Sequence, residues 1–218
     1  QHTESANSII NSCIRYNVGE VAKKPASAST LTEIVGELHD NVWSHAKSAG
    51  FSLFQKTHGP RGEIFLEFAI ADRGYGFFKE LKRVNINVAN DKEAIEWCLR
   101  QGNTSKKPKE DDGWTQQLPA DVIGNPMGEY ASYHDGNHHQ GLGLAKLKEM
   151  VIEAKGTLKI ASGKQLYMLD NTTEKWTDIT ATPWNGVAIS FVIPIKNLEY
   201  LEKDRNMECE EHHIIDEL

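Results

Sequence analysis

The chain is poor in cysteine. Its three cysteines, Cys13, Cys98 and Cys209, are odd in number and scattered through 218 positions. That argues against a disulfide-built scaffold and fits a reducing compartment, expected here to be the cytoplasm. Long apolar runs are missing too. No stretch of about 18 apolar residues occurs, so no membrane span is expected. No N-terminal segment has the charged-then-apolar form of a secretory signal. Surplus positive charge is also absent: 24 Lys and Arg stand against 31 Asp and Glu, a formal net charge of -7. This balance argues against broad nucleic-acid or membrane-surface binding, which needs basic patches to displace counterions. Two phosphate-binding signatures are lacking as well. Gly163-Lys164 has Leu158 where a P-loop needs its first glycine, and Gln165 where it needs Ser or Thr. Gly141-Leu142-Gly143 meets Lys146 where a dinucleotide fingerprint needs its third glycine.

What is present is an ordinary composition, 24.5 kDa with a mean hydropathy of -0.51, and enough chain to bury a core. The sequence opens on Gln1 rather than Met, as either a trimmed chain or a piece of a longer protein would. Ile9, Ile10, Cys13 and Ile14 recur at helical spacing, so residues 5–17 are expected to form a short amphipathic helix. Lys23 to Thr30 reads as a linker, ending in a capping box made by Thr30 and Glu33. Residues 1–30 are thus expected to be an extension.

A longer helix is expected from about Leu31 to Ala49. Leu31, Ile34, Val35, Leu38, Val42 and Ala46 form its apolar stripe. Glu37, Asn41 and His45 share another face at four-residue steps. Residues 51–57 and 63–71 read as two strands joined by a Gly-Pro-Arg-Gly turn, a hairpin that delivers Asp72 to a strand end. Short helices follow near 78–83 and 91–100. Residues 102–140 lack periodicity, and a loop that long is usually functional or disordered. A helix over 141–154 and strands at 157–161, 165–169 and 187–195 come next, the last expected to be central. A charged tail spans 196–218. Together these segments predict an α+β fold, a two-layer sandwich with a mixed, largely antiparallel sheet covered on one face by helices.

Three short segments carry the candidate chemistry. Asn41 offers an oxygen ligand of the kind magnesium takes alongside phosphates and water. Glu37, one turn earlier on the same face, is placed to polarise an attacking group. Taken alone, both are common polar residues on a surface helix. Asp72 at a strand end, followed by Gly74 and Gly76, can accept a hydrogen bond from an amino group while glycine backbone approaches a flat ring. Alone it is also a plain Asp-Gly turn. Gly141-Leu142-Gly143-Leu144 stands directly before a helix, where exposed amides bind anions. A glycine-rich helix start reads the same way.

In combination and order, these segments resemble the GHKL, or histidine-kinase-like, ATPase superfamily. Its N-box is matched by Glu37, Asp40-Asn41 and His45. Its first glycine box is matched by Asp72, Gly74 and Gly76, and its second by Gly141, Gly143 and Leu144. The resemblance covers residues 31–195 and is nearest to stand-alone bacterial ATP-binding members and anti-sigma serine kinases. It implies an ATP-binding domain in which Asn41 holds Mg2+, Glu37 is the general base, Asp72 reads adenine, and residues 77–140 include the ATP lid. Lys106 resembles a lid-edge residue that meets a terminal phosphate. The sequence departs from the family where Gly186 is followed by Val187 rather than Thr, so the usual hydroxyl near adenine is not expected there.

The resemblance leaves the use of ATP open. One reading is slow hydrolysis that switches a protein partner. The others are a serine/threonine kinase of the anti-sigma kind, a histidine-kinase catalytic module, and a nucleotide sensor that does not hydrolyse. The N-terminal helix lacks a phospho-accepting histidine, which counts against the third. His134, His138 and His139 read as loop histidines, and Cys209, His212 and His213 as part of a solvated tail.

Overall fold

The computed structural model describes residues 2–22, 25–46, 48–100, 103 and 143–198. Two long helices open the chain, α1 (His2–Ala22) and α2 (Pro25–Asn41), and α2 continues into a π-helical turn, Val42–Ala46. The strands are β1 (Gly50–His58), β2 (Ile64–Asp72), β3 (Thr157–Gly163), β4 (Gln165–Asp170), β5 (Thr173–Asp178) and β6 (Trp184–Pro194). Helices α3 (Gly76–Arg83), α4 (Asp91–Cys98), α5 (Gly143–Glu153) and α6 (Ile195–Leu198) complete the described elements.

The strands form one sheet in the order β1-β2-β6-β3-β4-β5. Each pairing is antiparallel, so the sheet expected to be mixed has no parallel pair among the described residues. Strand β6 is central, as its apolar run predicts. The helices cover one face, giving a two-layer α+β sandwich. Alternation decides which residues meet them. On β2, Leu66, Phe68, Ile70 and Asp72 point to the helices. On β6, Ile189, Phe191 and Ile193 do the same, and Phe68 stacks on Phe191 with ring centroids 5.3 Å apart.

Helix α2 supplies the opposing stripe, with Leu31, Ile34, Val35 and Leu38 buried and Val42 packed at its margin. The linker expected over 23–30 is helix from Pro25 onward. Proline suits a first helical turn because its missing N–H would have no intrahelical partner there. Thr30 therefore lies inside α2 and caps nothing. Glu33 instead reaches Lys146 on α5, 2.5 Å away. Helix α1 is longer than expected and turned differently. Ile10, Ile14 and Val18 enter the main core, while Ile9 and Cys13 are exposed. A four-residue step in place of a mixed stripe is what lets α1 lie along α2. His39 fixes that contact: its Nδ1 lies 2.5 Å from Asn7 Oδ1, and its ring meets Phe68 edge-on.

Two further differences concern the ends of the sheet. Strand β5 was not expected, because Thr173–Asp178 is an exposed edge with only Trp176 turned inward. Residues 196–198, expected as tail, belong to α6, where Ile195 and Leu198 are buried. No helix among the described residues is long and apolar enough to cross a membrane.

Candidate functional site

Strand β2 ends by carrying Asp72 into the helix-covered layer, where the residue is 4% exposed. Its Oδ1 accepts from the Gly74 amide at 2.7 Å and its Oδ2 from the Val187 amide at 3.3 Å. Burial raises the carboxyl above its ordinary value of 3.8, and the two amides partly oppose that rise. A carboxylate has about four lone-pair positions, so two amides leave it able to accept from an amino group.

The backbone around Asp72 is tightly set. Gly186 has φ +113, a conformation L side chains rarely adopt, and a Cβ there would stand 2.6 Å from Asp72 Oδ1. Gly76 has φ +73, and a Cβ on it would meet Gly186 O and Ser162 Oγ, both at 3.0 Å. Ser162, 1% exposed, ties these strands together. Its hydroxyl donates to Gly186 O and accepts from the Phe77 amide, each at 3.1 Å.

Helix α2 and its π-helical extension pack against both Gly74 and Gly143. Gly74 packs against the end of the π-helical turn, where a Cβ would lie 2.5 Å from the Ala46 Cα. At the other end, Gly143 opens α5 directly on the Glu37 side chain, and a Cβ there would stand 3.1 Å from Glu37 Cβ and collide with its carboxylate. Glu37 and Asn41 are both half-buried. Leu144 is buried behind Gly143 in the main core. The fold thus brings Glu37, Asn41, Asp72, Gly74, Gly76, Gly143 and Leu144 to one end of the sheet and the α2–α5 seam. Lys106, Gly141 and Leu142 lie outside the described residues, as do the histidines of 134–139, the side chain of His45 and most of the expected lid.

Among the described residues, no group of three or more His, Cys, Asp or Glu is placed to hold a metal ion. The described residues alone therefore do not build a transition-metal cage. A magnesium ion drawing one oxygen from Asn41 and the rest from phosphate and water fits the donor set. Ser162 and the Val187 amide were not among the expected site residues. Ser162 had a signal, since it follows Leu158 and Ile160 at two-residue steps and so takes an inward position. A backbone amide has none.

No family model matches the sequence, and no curated protein matches it. Solved structures do. One is the histidine kinase domain of the blue-light activated histidine kinase from Erythrobacter litoralis EL346, at 14% identity and a TM-score of 0.34. The alignment covers 91% of this chain and 64% of that one. At that TM-score the match adds nothing to what the chain's own topology says about its fold.

Proposed function

We propose that this chain is a GHKL-type domain that binds ATP with magnesium and hydrolyses it slowly, the nucleotide state being read by a protein partner. The observation that carries this reading is convergence. Two stretches distant from each other in sequence, around Gly74 and Gly143, pack against the helical segment that carries Glu37 and Asn41, and the glycines at their contacts leave no room for a side chain.

In this reading Asp72 accepts a hydrogen bond from the exocyclic amino group of adenine. The start of α5 faces the phosphates, where unpaired amides and the helix dipole favour negative charge. Asn41 holds the metal, which when bound offsets charge on the phosphate oxygens. Glu37 accepts a proton from water as its oxygen bonds to the terminal phosphorus. The bond from that phosphorus to the bridging oxygen breaks, ADP leaves with that oxygen, and phosphate is released. A partner's hydroxyl in place of water would make the same base serve a protein kinase of the anti-sigma type. Glu37 itself favours both of these over a non-hydrolysing sensor.

Incubation of the chain with terminally labelled ATP and magnesium, alone and with cell extract, tests the proposal. Free labelled phosphate from the chain alone supports hydrolysis. Label on another protein supports the kinase. Nucleotide bound with no transfer contradicts a catalytic role, and no binding contradicts the reading as a whole.

A further inference from the structure

The sheet has a second face that no described helix covers. Every buried strand residue from Ile64 onward points to the helical layer, whereas the alternating positions on the other side are half-buried or exposed. Strand pairing sets those outer positions in rows across the sheet. In the row nearest the cleft end, Ala71, Ala188 and Ala161 lie side by side between Phe51 and Leu166. The next row runs Leu53, Ala69, Ser190, Lys159, Met168 and Lys175. The third runs Gln55, Glu67, Val192, Thr157, Asp170 and Thr173. Phe65 and Pro194 dominate the fourth. Phe51 is 76% exposed and Leu53 56%, large values for apolar side chains that belong to one contiguous patch.

We propose that this outer face is a dimer interface, and that its occupant is a second copy of the chain. The pattern is complementary to itself under one rotation. Place a two-fold axis between the sheets, parallel to the rows and midway between the second and third. Strand then faces like strand in reversed direction, the first row over the fourth and the second over the third. On β2 and β6, small residues meet larger ones. Ala71 faces Phe65 of the second copy, Ala188 faces Pro194, and Ser190 faces Val192. The charges match as well. Asp170 of the second copy falls between Lys159 and Lys175, about one strand spacing, ~4.8 Å, to either side. Glu67, which would face Ala69, is already held within its own copy by Gln55 at 2.6 Å and Thr57 at 2.8 Å.

The size also suits a stable pair. Six strands and four rows span roughly 24 by 20 Å between outermost positions, and side-chain margins bring this to roughly 800 Å² per copy, the usual contribution to a specific interface. Twisted sheets pack face to face about 30° apart, which concentrates contact on the central strands. Those are β6 and β3, which carry Ala188 and Ala161. An isologous two-fold contact also closes on itself and does not propagate. The cleft lies on the helix side of the sheet and stays open in such a pair.

Light scattering on the intact chain, across about 1–100 µM, tests this. The expected mass is twice the 24.5 kDa of one chain. Ala188→Lys puts a charge on an inner strand of the face and should give the single-chain mass throughout, with a thermal melt at low concentration matching the parent. Lys159→Glu and Asp170→Lys should each weaken the dimer about tenfold, and the double exchange should restore much of it. The exchange variants keep the question answerable if Ala188→Lys folds poorly. A parent of single-chain mass at all concentrations would overturn the proposal. So would a dimer indifferent to Ala188→Lys, or an exchange that restores nothing.

Discussion

The surroundings of Asp72 and of Glu37 are built on opposite terms. At the Asp72 end the two polar side chains are buried and hydrogen-bonded: both carboxylate oxygens take backbone amides, and Ser162 bridges Phe77 and Gly186. Gly76 and Gly186 hold positive φ there. At the Glu37 end, Glu37 and Asn41 are half-buried on a helix that already continues into a π-helical turn. A rigid, desolvated pocket suits selection of a base, because a missing partner there leaves buried groups unpaired. A wetter rim suits phosphates, metal and an attacking water. In physical terms, the first end should govern affinity and stability together, and the second should govern rate.

The sharpest way to break that contrast is Glu37→Ala. Turnover should fall by about 10²–10⁴, the usual worth of a positioned general base. ATP affinity should stay within about threefold, as titration calorimetry would measure. Equal turnover would remove Glu37 as base. Next in size is Gly186→Val. Its side chain would enter the space of Asp72 at an unfavourable φ, costing about 2–4 kcal/mol in denaturant unfolding and affinity with it. Asp72→Asn separates the two properties. Its amide keeps one acceptor and sets an NH2 against a backbone donor. ATP affinity should drop about a hundredfold, while stability changes by only about 1 kcal/mol, because a desolvated charge has also been removed.

The pH dependence sharpens the comparison further. Burial raises the Asp72 carboxyl in the folded chain. Its protonation therefore favours folding: the stability it contributes is present below 3.8 and lost as pH rises through its higher folded value. Binding runs the other way, since a protonated Asp72 is a poorer acceptor, and affinity should fall with acid through that raised value. Smallest is the effect at His39, whose imidazole is lowered chiefly by burial, with Asp40 opposing. Its stability contribution is present above 6.5 and lost as pH falls below it. Thermal melts between about pH 7.5 and 5.5 should show a loss below about 1 kcal/mol that is absent in His39→Leu. An unchanged loss in that variant would assign it elsewhere.

Much of this was legible in the sequence, for a reason that varies with burial. The stripe of α2 and the alternation of β2 and β6 bury one face each, so periodicity reports them directly. The three motif segments were legible as segments, but their meeting was not. The contacts of Gly143 with Glu37 and of Gly74 with Ala46 span 106 and 28 residues of sequence and depend on packing. Some local readings failed. Lys-Pro-Ala-Ser looked like a linker, yet proline begins α2 without cost at a first turn. Strand β5 buries so little that its pattern carries no signal. The Val187 amide replaces nothing a side-chain motif would reveal, which is why the Gly-Val sequence read only as a missing hydroxyl.

The central claim is that the stretches around Glu37, Asp72 and Gly143 form one ATP cleft. A crystal structure of the chain with a nonhydrolysable ATP analogue and magnesium tests it most directly. The account predicts the adenine amino group within hydrogen-bond distance of Asp72, phosphates at the start of α5, and the metal beside Asn41. A nucleotide bound with its base away from Asp72, or no nucleotide bound at saturating concentration, would contradict it.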